Sequence, residues 1–181
     1  LFAFTNCEVS ISPLSCIIEN NKPVFIGVSE ILKKSTENTK DLLKDELEVK
    51  LKELNLLWHY STLEKIFIEN RIYRLIEEQD TWEGVLNSIK DGLKPHLNLL
   101  KNEVSEDDIV KLTEIKIKRI SKFDIEKADK KIKQIEEDIS LVKQNLENLN
   151  DFAIQYFKYL KTTYAKGKER KTEFRIFDDV D

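Results

Sequence analysis

Methionine is absent from all 181 residues, even at position 1, so the chain reads as an excised piece of something longer. Glycine occurs four times and proline three times. That leaves few places for tight turns and predicts long elements. Cysteine is scarce: Cys7 and Cys16 have no metal or redox spacing. They lie on neighbouring β-rich runs that a disulfide could bridge, but a reduced pair is preferred. Of the two histidines, His59 has Leu63 at i+4 and His96 adjoins Pro95, so neither opens a metal motif, and both read as packed or solvated side chains. No apolar run approaches the ~18 residues of a membrane span, and the opening LFAFTNCEVS lacks the basic stretch of a signal peptide. The cation excess of a general nucleic-acid or anionic-surface binder is missing too. Net charge is −4, so any such contact must be a local patch.

What is present is charge and helical periodicity. Charged residues make up 35% and hydrophobic residues 40%, a balance usual for exposed helices and coiled coils. The length suits one domain, or a small domain with a long extension. The pattern predicts a mainly α fold: a long antiparallel two-helix coiled coil, a small helical domain at its tip and a short β-hairpin at its base.

Residues 1–27 carry the β signal. In CEVSIS, Val9 and Ile11 alternate with polar residues, and SCIIE and PVFIG flank the turn-like NNKP. A hairpin alone is marginal and must pack on something, upstream chain being the natural candidate. Residues 28–80 form the first arm, with Ser29 as the expected N-cap. Ile31, Leu32, Leu42, Leu43, Leu47, Leu51, Leu54, Leu57 and Trp58 recur at helical spacing, with no Gly or Pro between Gly27 and Gly84. Such a helix would run for roughly 70 Å, which suits an arm better than a globule. Residues 125–181 hold the second arm. Ile132, Ile135, Ile139, Val142, Leu146, Leu149, Ala153, Tyr156 and Leu160 keep an unbroken spacing of three and four, about four heptads of a coiled-coil seam. Two long helices separated by an insert should pair antiparallel, because the chain returns along its own path.

The insert spans 81–124. Trp82, Val85, Leu86 and Ile89 make a short amphipathic helix punctuated by Gly92 and Pro95. Ser105 with Asp108 resembles a helix start, and SEDD places acids at its positive end. The run KLTEIKIKRISKF, Lys111 to Phe123, is ambiguous. Ile115 and Ile117 alternate with lysines as in a strand, whereas Leu112, Ile115, Arg119 and Phe123 keep helical spacing. A lone strand would lack a partner, so one helix is expected from Asp107 through Phe123. On it Lys116, Lys118, Arg119 and Lys122 spread over most of the circumference. Asp107, Asp108 and Glu114 offset them, so a solvated or ion-paired face is preferred to a phosphate stripe. Leu112, Ile115, Ile117, Ile120 and Phe123 are too many for one apolar stripe. Packing of all five inside the tip is the plain reading; sharing some with a second copy is the sharper one. The terminal DDVD reads as a frayed acidic tail rather than a Mg²⁺ site.

CEVSIS, EILKK, STLEKIFIENRIY, LTEIKIKRISKFD and the closing KGKERKTEF are modest alone but specific in this order and spacing. Together they resemble the breakage-reunion subunit of type IIA bacterial DNA topoisomerases, that is, the A subunit of topoisomerase IV or gyrase A, with the Lys-Arg-Ile-Ser form closer to topoisomerase IV. The likeness covers essentially the whole chain. It implies the last strands of the tower domain (1–27), the first coiled-coil arm (28–80), the helical exit gate (81–124) and the second arm returning to the tower (125–181). It further implies a cytoplasmic parent enzyme that changes DNA topology by ATP-dependent strand passage, in decatenation or relaxation. That parent would be a homodimer without membrane attachment, working with a separate ATPase subunit. Its Mg²⁺ and ATP would act elsewhere, and no cofactor is implied for this segment. The family's catalytic tyrosine belongs to a part of the family chain that has no counterpart here. None of Tyr60, Tyr73, Tyr156, Tyr159 and Tyr164 inherits its role, so the segment itself is expected not to cleave DNA.

The resemblance also assigns candidate residues. The gate contact would fall to Leu112, Ile115, Lys116, Arg119, Ile120 and Phe123. LWHYS and NLND interrupt the apolar seam or hold weak helix formers, which makes Trp58, Ser61 and Asn150 hinge candidates, against a plain packing irregularity. Gly167 reads as a helix stop with lysines suited to that end. Lys168, Arg170 and Lys171 are candidate DNA contacts, because the family's second arm returns near bound DNA. Guidance of the departing duplex by Lys116, Lys118, Arg119 and Lys122 is the minor reading of those cations. Two rivals remain: a generic coiled-coil dimerisation scaffold, which leaves the hairpin and insert unexplained, and a stand-alone nucleic-acid module, which the net charge disfavours.

Overall fold

Asn20 and Asn21 reverse the chain by standing in the left-handed region, with φ of 48° and 60°. Asparagine tolerates that region better than other residues with a Cβ, and two such residues in succession make the turn that suits a tight hairpin. The computed structural model of the protein describes Phe4, Thr5 and residues 11–173. In chain order its elements are β1 (Cys16–Glu19), β2 (Lys22–Phe25), α1 (Val28–Glu69), α2 (Trp82–Leu93), α3 (Glu106–Thr113), α4 (Ile117–Ser121), α5 (Ile125–Glu147) and α6 (Leu149–Tyr164). Two 3₁₀ segments, Ile72–Glu78 and Lys94–Leu99, flank α2. The chain is mainly α with a short antiparallel hairpin, as its periodicity predicts. Among the described residues no helix is long and apolar enough to cross a membrane.

Contacts divide the chain into two compact units, Leu1–Asp45 with Leu149–Asp181, and Glu46–Asn148. In the first unit, β1 and β2 pair from Glu19 opposite Lys22 to Cys16 opposite Phe25. Cys16 is exposed and carries a free thiol; Cys7 lies outside the described residues. Helix α1 opens at Val28 rather than after Ser29. The Gly27 carbonyl accepts from the amides of Glu30 and Ile31, both at 3.1 Å, so Gly27 is the cap and Ser29 already lies inside the first turn. Lys34 meets Glu19 at 2.6 Å and ties α1 to the hairpin. Lys40 donates to the Asn150 side chain of α6 at 3.1 Å.

In the second unit, α1 and α5 run antiparallel. Lys65 pairs with Asp129 and Trp58 Nε1 donates to Glu136, so seven residues back along one helix match seven forward along the other. Trp58, Ile135 and Ile139 are buried between them, with Leu51, Leu54 and Ile132 packed around. Ile132, Ile135 and Ile139 of the expected seam pack against α1 here. The seam is interrupted at Asn148, where φ −109° and ψ 45° end the helix and the asparagine side chain donates back to the Gln144 carbonyl at 3.1 Å. The single second-arm helix read from the spacing is therefore two, α5 and α6.

Helix α1 ends where Arg71 takes a left-handed conformation, φ 54°. Ile72–Glu78 then turns down onto α2. A Cβ on Gly92 would stand 2.8 Å from Ile72 Cγ2, so the glycine is what lets α2 lie so close to this segment. Leu63, Ile66, Phe67, Ile68, Ile72, Ile89, Leu93, Ile109 and Leu112 form one core. Each fully buried side chain of this kind stabilises the fold by about 1.5–3 kcal/mol relative to exposure. The end of α1, the first 3₁₀ segment, α2 and α3 all contribute to it.

Candidate functional site

The ambiguous run Lys111–Phe123 is neither a strand nor one helix. Helix α3 stops at Thr113, Glu114 caps it, and the Ile115 amide bonds the Leu112 carbonyl at 3.3 Å. Lys116 is extended, φ −66° and ψ 138°, and its carbonyl receives the Arg119 amide at 2.7 Å to start α4. Thr113, Ile115 and Ile117 are β-branched and hold a helix weakly. The break lets Ile115, Ile120 and Phe123 all reach the core from a chain that has changed direction. Of the strand-like alternation, Lys116 keeps an extended backbone.

This geometry sorts the expected gate residues. Leu112 is 1% exposed, its side chain covered by the core of its own chain. Ile115, Ile120 and Phe123 are half-buried, and Lys116 and Arg119 are exposed. Ile117, outside the expected set, is 83% exposed. It sits in the first turn of α4 and is the apolar side chain this segment offers to solvent.

Arg119 makes an ion pair within its own chain. Its guanidinium forks onto Glu64 of α1, with Nη2 to Oε2 at 2.7 Å and Nε against Oε1. The Glu64 side chain is 7% exposed and that of Arg119 is 61% exposed. A carboxylate so enclosed requires a counter-charge, and a two-pronged guanidinium supplies it with fixed geometry. The bond to Glu64 holds the Arg119 guanidinium more firmly protonated than usual, against a smaller opposing effect of burial. Nearby, Tyr60 donates to the Lys111 carbonyl at 3.4 Å. Burial, then the charge of Glu64, pushes its phenol above the ordinary value.

Ser105 and Asp108 form the helix start that the sequence announces. The Asp108 amide donates to Ser105 Oγ at 3.2 Å, and the Ser105 amide donates to Asp108 Oδ2 at 3.1 Å. His59, 4% exposed, places Nε2 3.4 Å from the same Asp108 carboxylate. Burial works to raise the Asp108 pKa, but the Ser105 hydrogen bonds and His59 together hold it below the usual carboxylate value.

The hinge candidates separate. Helix α1 is unbroken through Trp58 and Ser61, both buried. Trp58 is held by Glu136 at 2.9 Å and covered by Lys101, whose Nζ stands 4.0 Å from the ring centroid. Asn150 lies in the first turn of α6, two residues past the break at Asn148. Lys168, Arg170 and Lys171 are exposed and follow α6 without regular structure. Gly167, φ 80°, belongs to a turn closed by the Lys168 amide on the Ala165 carbonyl at 2.9 Å, beyond the helix end at Tyr164 rather than as its stop. The DDVD tail lies outside the described residues. Among the described residues no three His, Cys, Asp or Glu side chains gather as metal ligands would.

Two features escape the sequence reading. Glu64 interrupts the apolar run Leu63, Ile66, Phe67, and an acid on a buried helix face demands a cation; that signal is present in the sequence. The other is a groove of about 500 Å³ lined by Lys116, Lys118, Arg119 and Lys122 together with Lys127 and Lys131 of α5. The expected dispersal of these cations assumes one continuous helix, and the break at Glu114–Lys116 removes that premise.

A family model describing the A subunit of DNA gyrase/topoisomerase IV matches residues 1–158. The chain belongs to that family. It is 31% identical over 176 residues to the A subunit of DNA topoisomerase 4 from Borreliella burgdorferi, an alignment covering 97% of this chain and 28% of that protein. The chain thus spans a little over a quarter of the length of that relative.

Proposed function

We propose that this chain is the coiled-coil and exit-gate segment of a type IIA DNA topoisomerase. In this role it holds two subunits together while DNA ends are apart and lets the transported duplex leave during ATP-dependent strand passage. The observation that carries the reading is Ile117. It stands 83% exposed on α4, while Ile115, Ile120 and Phe123 around it are half-buried. In this role a second copy covers Ile117 together with its half-buried neighbours across a two-fold axis. The contact is modest, as an interface that must part has to be. Its members are Ile115, Ile117, Ile120 and Phe123, with Lys116 at the open rim and Arg119 fixing α4 from behind through Glu64.

In this reading the full subunit works in the cytoplasm as a homodimer with an ATPase partner, and the chemistry of cleavage lies outside this segment. Tyr60 is engaged with the Lys111 carbonyl and serves packing. The break at Asn148 is the better hinge than Trp58 or Ser61, because the backbone departs from helix there. Lys168, Arg170 and Lys171 form a separate contact to bound DNA; neutralising all three in the full subunit should weaken DNA binding while leaving dimer mass unchanged.

Sedimentation of the chain well above micromolar concentration tests the gate. A dimer is expected, and Ile117→Asp should convert it to a monomer of unchanged helicity. The same substitution in the full-length protein, assayed for strand passage with its ATPase partner, should abolish or uncouple the activity. A strict monomer before substitution, or a dimer indifferent to Ile117→Asp, would remove the basis of the reading.

A further inference from the structure

We propose that the groove between α4 and the start of α5 binds the phosphate backbone of duplex DNA. Six cationic side chains line it: Lys116, Lys118, Arg119, Lys122, Lys127 and Lys131. Only two carboxylates, Glu64 and Asp124, share the lining, so six positive charges less two negative leaves four. This patch sits on a chain whose net charge is −4, and it meets the condition that any polyanion contact be local.

Both carboxylates are already committed. Glu64 is enclosed and taken by Arg119. Asp124 accepts the Lys127 amide at 3.2 Å to cap α5 and meets Lys127 Nζ at 3.2 Å. Among the described residues, Lys116, Lys118, Lys122 and Lys131 have no carboxylate within ion-pair distance. Four unneutralised ammonium groups around one open cavity repel each other, and an arrangement of this kind is relieved by a polyanion that displaces their counterions.

The chemistry of the free groups sets what kind of polyanion. Lysine is a mobile point charge without a planar fork, and the one guanidinium in the groove has its fork occupied by Glu64. The site can therefore read phosphate charge but has no free fork for a base edge. The groove is open, and its cations come from two elements, the Lys116–Lys122 segment and α5. That suits successive phosphates of a strand better than one small enclosed anion. The choice of duplex DNA over an acidic protein rests on the DNA-handling role proposed above; the groove itself does not depend on the gate dimer.

Fluorescence anisotropy of a labelled duplex of about 20 bp, with the whole chain at about 50 mM KCl, tests this. Saturable binding is expected, with log affinity falling against log salt at a slope of about −3 to −4, near 0.9 for each of four lysines. The double variant Lys118→Gln, Lys122→Gln should weaken binding about tenfold or more and make the slope shallower by about two. The double variant Lys50→Gln, Lys52→Gln removes the same charge from exposed positions of α1 and should change affinity less than about twofold. Circular dichroism and sedimentation of each variant control for fold and mass. No saturable binding, equal losses from both double variants, or preference for polyglutamate over duplex would overturn the proposal. A monomeric chain that still binds with the expected slope would uphold the groove while removing the gate, so the two ideas fail separately.

Discussion

Glu64 is the residue on which the electrostatics of the unit Glu46–Asn148 turn. It is nearly enclosed, and Arg119, 55 positions later, is the guanidinium that reaches it. Removing one partner of an enclosed pair strands the other charge, which costs more than the pair contributes. Arg119→Ala should therefore destabilise the chain by about 2–4 kcal/mol, below the fully enclosed case because the arginine keeps most of its side chain in water. Adding Glu64→Gln to that variant should restore part of the loss. Urea unfolding decides it: a double variant no more stable than Arg119→Ala would show that the cost is not a stranded charge. The need for a counter-charge is legible in the sequence, since an acid sits in an apolar stripe. Which cation answers it is not, because partners that far apart are chosen by tertiary folding and several basic residues lie within reach.

Helix α3 shows which elements local rules specify. Ser105 and Asp108 satisfy each other's amides three residues apart, so this start can be read directly from SEDD. Its end cannot. Thr113 to Ile117 obeys helical spacing, but its β-branched residues hold a helix weakly, and Ile115 and Ile120 both reach the core where the chain bends. Asn148 divides α5 from α6 in the same way: apolar spacing continues across a position where the backbone does not. The cap carries a pH dependence. The Asp108 carboxyl titrates below its unfolded value, held down by Ser105 and His59 against the opposing effect of burial. The unfolded chain therefore binds the proton more readily. The resulting stability is present above the unfolded value of about 3.9 and is lost as pH falls through the lower folded one. Ser105→Ala should cost about 1 kcal/mol near neutral pH. The difference in melting temperature between the parent chain and Ser105→Ala should narrow between about pH 5 and pH 2. A gap constant over that range would mean that the cap acts without the carboxylate's charge.

Over the whole molecule, burial is uneven. The core of Glu46–Asn148 holds several side chains exposed by 1% or less, among them Leu63, Phe67, Ile89 and Leu112. The hairpin instead shows Ile18 and Phe25 to solvent, 80% and 62% exposed. Amide exchange should follow this division, slowest for residues 63–68 and 109–112 and fastest for Cys16–Phe25, since a two-stranded hairpin with little buried surface opens locally. Equal protection of hairpin and core would mean that the hairpin is covered, by a second copy or otherwise. The mainly α class, the hairpin and the family are readable from order and spacing over the full length. The basic groove is not, because it exists only once α4 and α5 meet.

The chain's two tryptophans are placed as a signal and its reference. Trp58 is 6% exposed, bonded to Glu136 of α5 and capped by Lys101, whereas Trp82 is 58% exposed at the head of α2. Any event that parts α5 from α1 hydrates the first indole and leaves the second as it was. Intrinsic emission can then follow movement of the helix pair without a label. With Trp82→Phe the spectrum comes from Trp58 alone, and a red shift on adding DNA or a partner protein would report separation of α5 from α1.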